Sequence, residues 1–477
     1  MIRGLLSYGA ARVLAGAGMF AAIIVLVRSL DGTAYGIYAQ TMVLAQVCGY
    51  LCAGWVQLGM VRMVAGTDGE AGRALLVNVR IVLVAALAVS ALVAAGMMLT
   101  HPMPVPGWAA AVVGGMAMAF GLSEYAMSQA NVTGALRQFV WINAIRYLSP
   151  LPVLLVLAYL DYLSPLSAAL VLAICALISG IAVFGRRSPH DGPLKAAGTT
   201  FKTARQLAWL GAPALLVYSL WPVTTLINRS FIFYFGTMSD LGYFAAVSDL
   251  LNGPTVLLFQ VLIWTWVANI TAAVNSGDLA MARTQISEFL GAVLLLALPG
   301  GVALWFAAPA LYGLLAGELP PLHDSTPNWV ALNSIAVCVY VAAAACLIAR
   351  RKACLAFIGT PLCFAATAVS AWLASGAAED TARNCALVTI VCAFVLMLCA
   401  AKSSNAWLEP RCSMAALTAA LAVWLLCASL PAAAGGAALV QLVGSVLLTS
   451  AVVIGFDVLG LRKIVKDRVV LSIGALR

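Results

Sequence analysis

Five ionisable side chains stand where hydrocarbon is expected. Arg12, Arg146 and Arg229, and the acids Glu124 and Asp249, each fall inside an apolar run long enough to cross a bilayer. An arginine near the centre of such a helix costs about 2.5–3.5 kcal/mol to insert, so its presence calls for a compensating role. A guanidinium is planar, permanently charged, and can grip two phosphate oxygens at once. Three cations against two acids leave a positive remainder, and a polar cavity of that sign suits an anionic headgroup. A plainer reading keeps the same residues as buried ion pairs, Arg12 or Arg146 with Glu124 and Arg229 with Asp249, that hold helices together. For Arg229 a third reading is snorkelling to the outer headgroups. A carboxylate in a low dielectric can change its protonation with its partner's position, which makes Glu124 and Asp249 candidate carriers of a coupling proton.

Neutral polar residues gather in the same runs. Asn143 precedes Arg146 by three residues, which places the two on one face of a regular helix. Tyr218, Ser219, Thr224, Thr225 and Asn228 fall in one later run, and Ser248, Asn252 and Gln260 in the next. Hydroxyls, amides and aromatic rings together suit sugars; ordinary interhelical hydrogen bonding is the alternative. Prolines lie beside the charges, with Pro150 and Pro152 after Arg146, Pro213 and Pro222 before Arg229, and Pro254 after Asp249. Each removes a helical hydrogen bond, so Pro150 and Pro222 are candidate gating hinges.

The elements that must carry these residues follow from composition. Of 477 residues 64% are hydrophobic and 9% charged, against about 25% charged in a soluble domain. Mean hydropathy is +1.03. A water-soluble enzyme is excluded, and the expected class is an all-α polytopic membrane protein. At a 1.5 Å rise, a span takes roughly 20 apolar residues. On that ruler there are 14 spans, near 5–27, 37–58, 81–100, 108–130, 139–160, 165–185, 209–233, 243–266, 286–307, 329–349, 353–375, 384–401, 412–433 and 438–459. The run after Met1-Ile2-Arg3 reaches Val27, too long for a signal peptide's apolar core, and reads as a retained first span.

Charge sets the orientation. With the N-terminus inside, 21 of the 26 Lys and Arg fall on inner segments, while the outer loops hold Arg28 and Arg383. The positive-inside rule therefore puts both termini in the cytoplasm. The basic surplus also faces anionic lipid, and with no stacking aromatics interleaved it does not suggest nucleic acid. Nine of the 12 cysteines lie in apolar runs and read as small hydrophobes, no CxxC occurs, and the three histidines are scattered, so neither metal nor cofactor is expected. The longest outer loop, about 308–328, is too short to house the active site of a membrane glycan polymerase or ligase. An inner segment, 186–208, reads as an interfacial amphipathic helix. It divides the chain into 1–206 and 207–411, six spans each, with 412–477 as an added pair and basic tail. Six is even, so both halves start from the same side, as parallel repeats would. Asp31-Gly32-Thr33-Ala34-Tyr35-Gly36 after the first span is echoed by Asp240-Leu241-Gly242-Tyr243-Phe244 after the seventh.

Two segments carry a family likeness. Arg28-Ser29-Leu30-Asp31-Gly32-Thr33-Ala34-Tyr35-Gly36-Ile37-Tyr38 resembles the signature after the first span of polysaccharide (O-antigen unit) flippases. Gly54-Trp55-Val56-Gln57-Leu58-Gly59-Met60-Val61-Arg62 resembles the end of their second. These belong to the multidrug/oligosaccharidyl-lipid/polysaccharide exporter superfamily. The resemblance implies two six-helix bundles in a V around a central cationic cavity. It implies transfer of an undecaprenyl-diphosphate-linked oligosaccharide from the cytoplasmic to the periplasmic leaflet of a bacterial inner membrane. Substrate binding would fall to Arg12, Arg146, Arg229, Asn143 and Asn228, with proton or sodium coupling through Glu124 and Asp249. Spans 13 and 14 would make a groove for the lipid tail. A polysaccharide polymerase and a chain-length protein would be partners. The competing expectation is a cation-coupled drug exporter of the same superfamily, which should carry more acids than cations in its N-terminal cavity.

Overall fold

A backbone in hydrocarbon must satisfy its own polar groups, and a helix does so within one segment. The apolar runs accordingly become helices throughout. The computed structural model describes residues 2–64, 70–100, 107–133, 135–184, 200–316, 325–350, 353–374, 377–404, 410–429 and 443–452. In chain order the helices are α1 (Ile2–Ser29), α2 (Gly32–Val64), α3 (Glu70–Thr100), α4 (Ala109–Val132), α5 (Leu136–Asn143), α6 (Pro150–Tyr159), α7 (Pro165–Phe184) and α8 (Thr200–Tyr218). They continue as α9 (Leu220–Phe235), α10 (Met238–Asn275), α11 (Leu279–Ala316), α12 (Thr326–Ala349), α13 (Ala353–Leu373), α14 (Ala378–Ser404) and α15 (Pro410–Ser429). A last described helical stretch covers Val443–Val452. The first twelve expected spans fall on these helices, the thirteenth on α15 up to Ser429 and the fourteenth on Val443–Val452, with the rest of those two outside the described residues; among the described residues there is no strand.

Helix starts are written locally. Asp31 accepts a hydrogen bond from the Ala34 amide at 2.8 Å and caps α2. At the corresponding turn before α10, Thr237 and Asp240 form a reciprocal capping box, at 3.1 Å and 3.0 Å. The two acids of the repeated motif therefore both serve as caps, one residue type at two registers.

Two spans are broken, each beside a proline. The fifth runs as α5, a π-helical turn (Ala144–Leu148) and α6. Pro150 and Pro152 have no N–H to return to the carbonyls of Arg146 and Leu148. The turn before them widens, and the Ser149 amide reaches back five residues to Ala144 at 3.1 Å. The seventh bends by 51° between α8 and α9. There Pro222 cannot bond the Tyr218 carbonyl, four residues before it. Pro213, by contrast, lies inside α8 without ending it.

The expected separate interfacial helix over 186–208 is corrected in its last part. Residues 200–208 begin α8 and continue into the seventh span, while 185–199 lie outside the described residues; the expected outer loop 308–328 is shortened, 308–316 ending α11 and 326–328 opening α12, with 317–324 outside the described residues. Phe201 and Trp209 on α8 are 83% exposed, and Lys202 and Arg205 beside them are exposed too.

Helix α2 is the seam of the molecule. Near its start it meets α10 so closely that a Cβ on Gly242 would collide with the Gly32 carbonyl. Near its end it meets α8, where a Cβ on Gly211 would collide with the Trp55 carbonyl. Glycine is what lets these backbones touch. At the outer end one buried cluster runs across both halves of the chain, from Leu26, Tyr35 and Val113 to Ile232, Leu250 and Tyr312.

Candidate functional site

The broken fifth span positions Arg146. Its guanidinium, in the π-helical turn, meets Glu124 of α4 with Nη1 2.7 Å from Oε1. The rings of Tyr147 and Phe120 lie 4.8 Å and 5.9 Å from its Cζ, so aromatic faces add to the carboxylate in holding the charge. Asn143 stands directly before this turn. The helix widens directly after it, and the side chain turns back to donate to the Phe139 carbonyl at 2.8 Å, leaving Oδ1 buried and unpartnered. Gly18 of α1 packs against the same turn, where an added Cβ would lie 2.9 Å from the Tyr147 carbonyl.

A second charge pair lies toward the outer end. Arg229 of α9 meets Asp249 of α10 at 2.6 Å. Its other terminal nitrogen donates to the Ala39 carbonyl of α2 at 3.0 Å. Tyr35 of α2 donates to the free oxygen of Asp249 at 2.9 Å. Gln40 of α2 adds a bond to Ser230 of α9 at 3.2 Å. Four groups thus bridge the two halves of the chain through one carboxylate and one guanidinium. The Arg229 side chain is 3% exposed, so it does not snorkel. A third bridge lies at the outer surface, where Arg28 donates to the carbonyls of Leu314 and Leu315 at the end of α11, at 2.9 Å and 3.1 Å.

Exposure within each pair is unequal, and in the same sense. Arg146 is 11% exposed and Glu124 26%; Arg229 is 3% and Asp249 26%. In both the acid stands in front and the arginine behind. The cations therefore do not offer themselves to an anion in this conformation.

The remaining expected site residues are placed as follows. Arg12 is on α1, and its side chain lies outside the described residues. Asn228 is buried on α9, donates to the Cys385 sulfur at 3.0 Å, and keeps Oδ1 unpartnered. Pro150 opens α6 and Pro222 lies in the first turn of α9, each directly after a break. Reasoning from charges missed Tyr35, Gln40 and the Ala39 carbonyl. Tyr35 and Gly36 lay inside the motif that carries the family likeness, which was the available signal.

No family model matches the chain, and no curated protein matches it. Solved structures do. One described as the lipid II flippase MurJ in an inward closed conformation is 12% identical, with a TM-score of 0.69 over 94% of this chain and 98% of that one. A mutant of the Vibrio cholerae MATE transporter VcmN is 15% identical, with a TM-score of 0.59 over 85% and 99%. A transporter of the MOP superfamily from Pyrococcus furiosus, described as having a binding pocket of reverse polarity, is 13% identical, with a TM-score of 0.55 over 84% and 98%. The chain shares their multi-pass helical fold.

Proposed function

We propose that this protein is a flippase that carries a lipid-linked oligosaccharide across the membrane by alternating access. In this reading 1–206 and 207–411 are the two moving bundles, 412–477 adds a lipid-facing pair, and the setting is a bacterial inner membrane. The observation that carries it is the order of groups in the two buried pairs. A guanidinium sits inside the hydrocarbon behind an acid more exposed than itself. Neutralising the acid, by a proton or by a passing cation, hands the guanidinium to an anion. A polyprenyl diphosphate supplies that anion, its oxygens match the fork of Arg146, and its tail stays in lipid. Expulsion on the other side follows when the acid ionises and reclaims its partner. Arg12 would add to the attraction, and a polymerase and a chain-length protein would take the delivered unit.

The test is transfer of a polyprenyl-diphosphate oligosaccharide across reconstituted vesicles. Arg146→Ala, inserted at the wild-type level, should abolish transfer, and Arg146→Lys should restore only part of it, because an ammonium lacks the planar fork. Full transfer by Arg146→Ala would overturn the mechanism. The exposure of the acids favours one second reading, a cation-coupled drug exporter, in which Glu124 and Asp249 meet a cationic drug directly. Uptake of a cationic dye by the same vesicles, lost in Glu124→Gln, would decide for it.

A further inference from the structure

The two faces of α9 and α10 differ in chemistry. Arg229 and Asp249 look toward α2, whereas their neighbours Asn228 and Ser248 line a cavity between α9, α10, α12 and α14. Its wall includes Trp221, Thr225, Asn228, Ser248, Asn252 and Asn333, and no residue lining it is ionised. The amides are held in place: Asn252 donates to Ser248 at 2.7 Å and accepts from Ser334. Cys385 accepts from Asn228 at 3.0 Å and donates to Asn333 at 3.6 Å. Asn228 is 4% exposed, and its Oδ1 is left without a partner in that wall. A buried acceptor without a donor is unfavourable, which marks this wall as shaped for a group that brings one.

We infer that this cavity is a hydroxyl-binding subsite for the uncharged sugar of the passenger, distinct from the cationic region around Arg146. The inference rests on the flippase reading and divides the substrate between the halves, diphosphate toward the first and sugar toward the second. A hydroxyl both donates and accepts, as these amides and side-chain hydroxyls require, and Trp221 offers a flat apolar face to a ring. A metal ion or a cationic drug fits poorly, because no carboxylate lines the cavity to compensate its charge. In this structure the free space is water-sized. A single hydroxyl or hydroxymethyl edge fills it.

The experiment compares two probes on the purified full chain by native mass spectrometry: bare polyprenyl diphosphate and the same lipid carrying a neutral disaccharide. Wild type should bind the glycosylated lipid more tightly. Asn228→Ala and Asn333→Leu should each lose about tenfold for the glycosylated lipid, roughly one hydrogen bond's worth, and nothing for the bare one. Thr225→Val, isosteric and only half-buried, gives the same comparison without disturbing the fold. Equal losses on both lipids, or none on the glycosylated lipid, overturn the subsite. A wild type that binds neither lipid overturns the flippase reading itself, and the subsite with it.

Discussion

At the scale of single residues, the arginines inside this protein are defined by what stands in front of them. Arg229 is almost fully enclosed, yet its two hydrogen-bond partners, Asp249 and the Ala39 carbonyl, come from two helices and both halves of the chain. Removing one member of a buried pair leaves the other charge uncompensated, while removing both does not. Arg229→Met alone should therefore destabilise the protein by about 3 kcal/mol, read as a lower detergent melting temperature. The double variant Arg229→Met with Asp249→Leu should recover most of that loss. A double variant no more stable than the single one would mean that the pair is not the relevant unit. Tyr35→Phe removes one bond to the same carboxylate and should cost about 1 kcal/mol, with melting again the measure. The charges were legible in the sequence because an ionised group in an apolar run has few explanations. Tyr35 and Gln40 were not, because a phenol or an amide near a helix end is ordinary at a membrane interface.

Elements follow a similar division. The spans could be read with a ruler, since hydrocarbon admits little besides a helix of about 20 residues. The π-helical turn could not. Pro150 and Pro152 announced a disturbance, but whether a helix answers with a kink or a wider turn depends on what packs beside it, and here Gly18 of α1 does. The helix crossings were equally hidden. Glycine is common along the chain, and nothing in the sequence marks Gly242 and Gly211 as the two tightest of its backbone crossings. They lie at opposite ends of α2, so a methyl group at each should act in opposite directions. Gly242→Ala should part α2 from α10 and raise labelling of outer-end cysteines by a membrane-impermeant thiol reagent. Gly211→Ala should part α2 from α8 and raise labelling at the inner end. The same change in both variants would mean that the contacts merely hold the fold.

For the whole molecule, the question is whether the two halves must separate where they now meet. Alternating access requires two states that differ in free energy by only a few kcal/mol, with ligand or proton deciding between them. Three polar bridges and a continuous buried cluster close the outer end here, while α2 and α8 touch at the inner end. Such a state is a starting point for either opening. Bridges of this kind suit the task, because polar contacts can be exchanged for water or ligand, whereas a wholly apolar seam has no partner to trade with. Gln40 and Ser230 offer the cleanest test, being in contact across the halves and not among the partners of Arg146. With both replaced by cysteine and joined by a short bis-thiosulfonate, the outer end cannot open. Vesicle transfer should then fall to background and return when a reductant cleaves the link, while singly substituted controls treated alike stay active. Transfer that persists in the linked protein would place the passage elsewhere, along the lipid-facing side of the bundle, and would remove the central cleft from the mechanism.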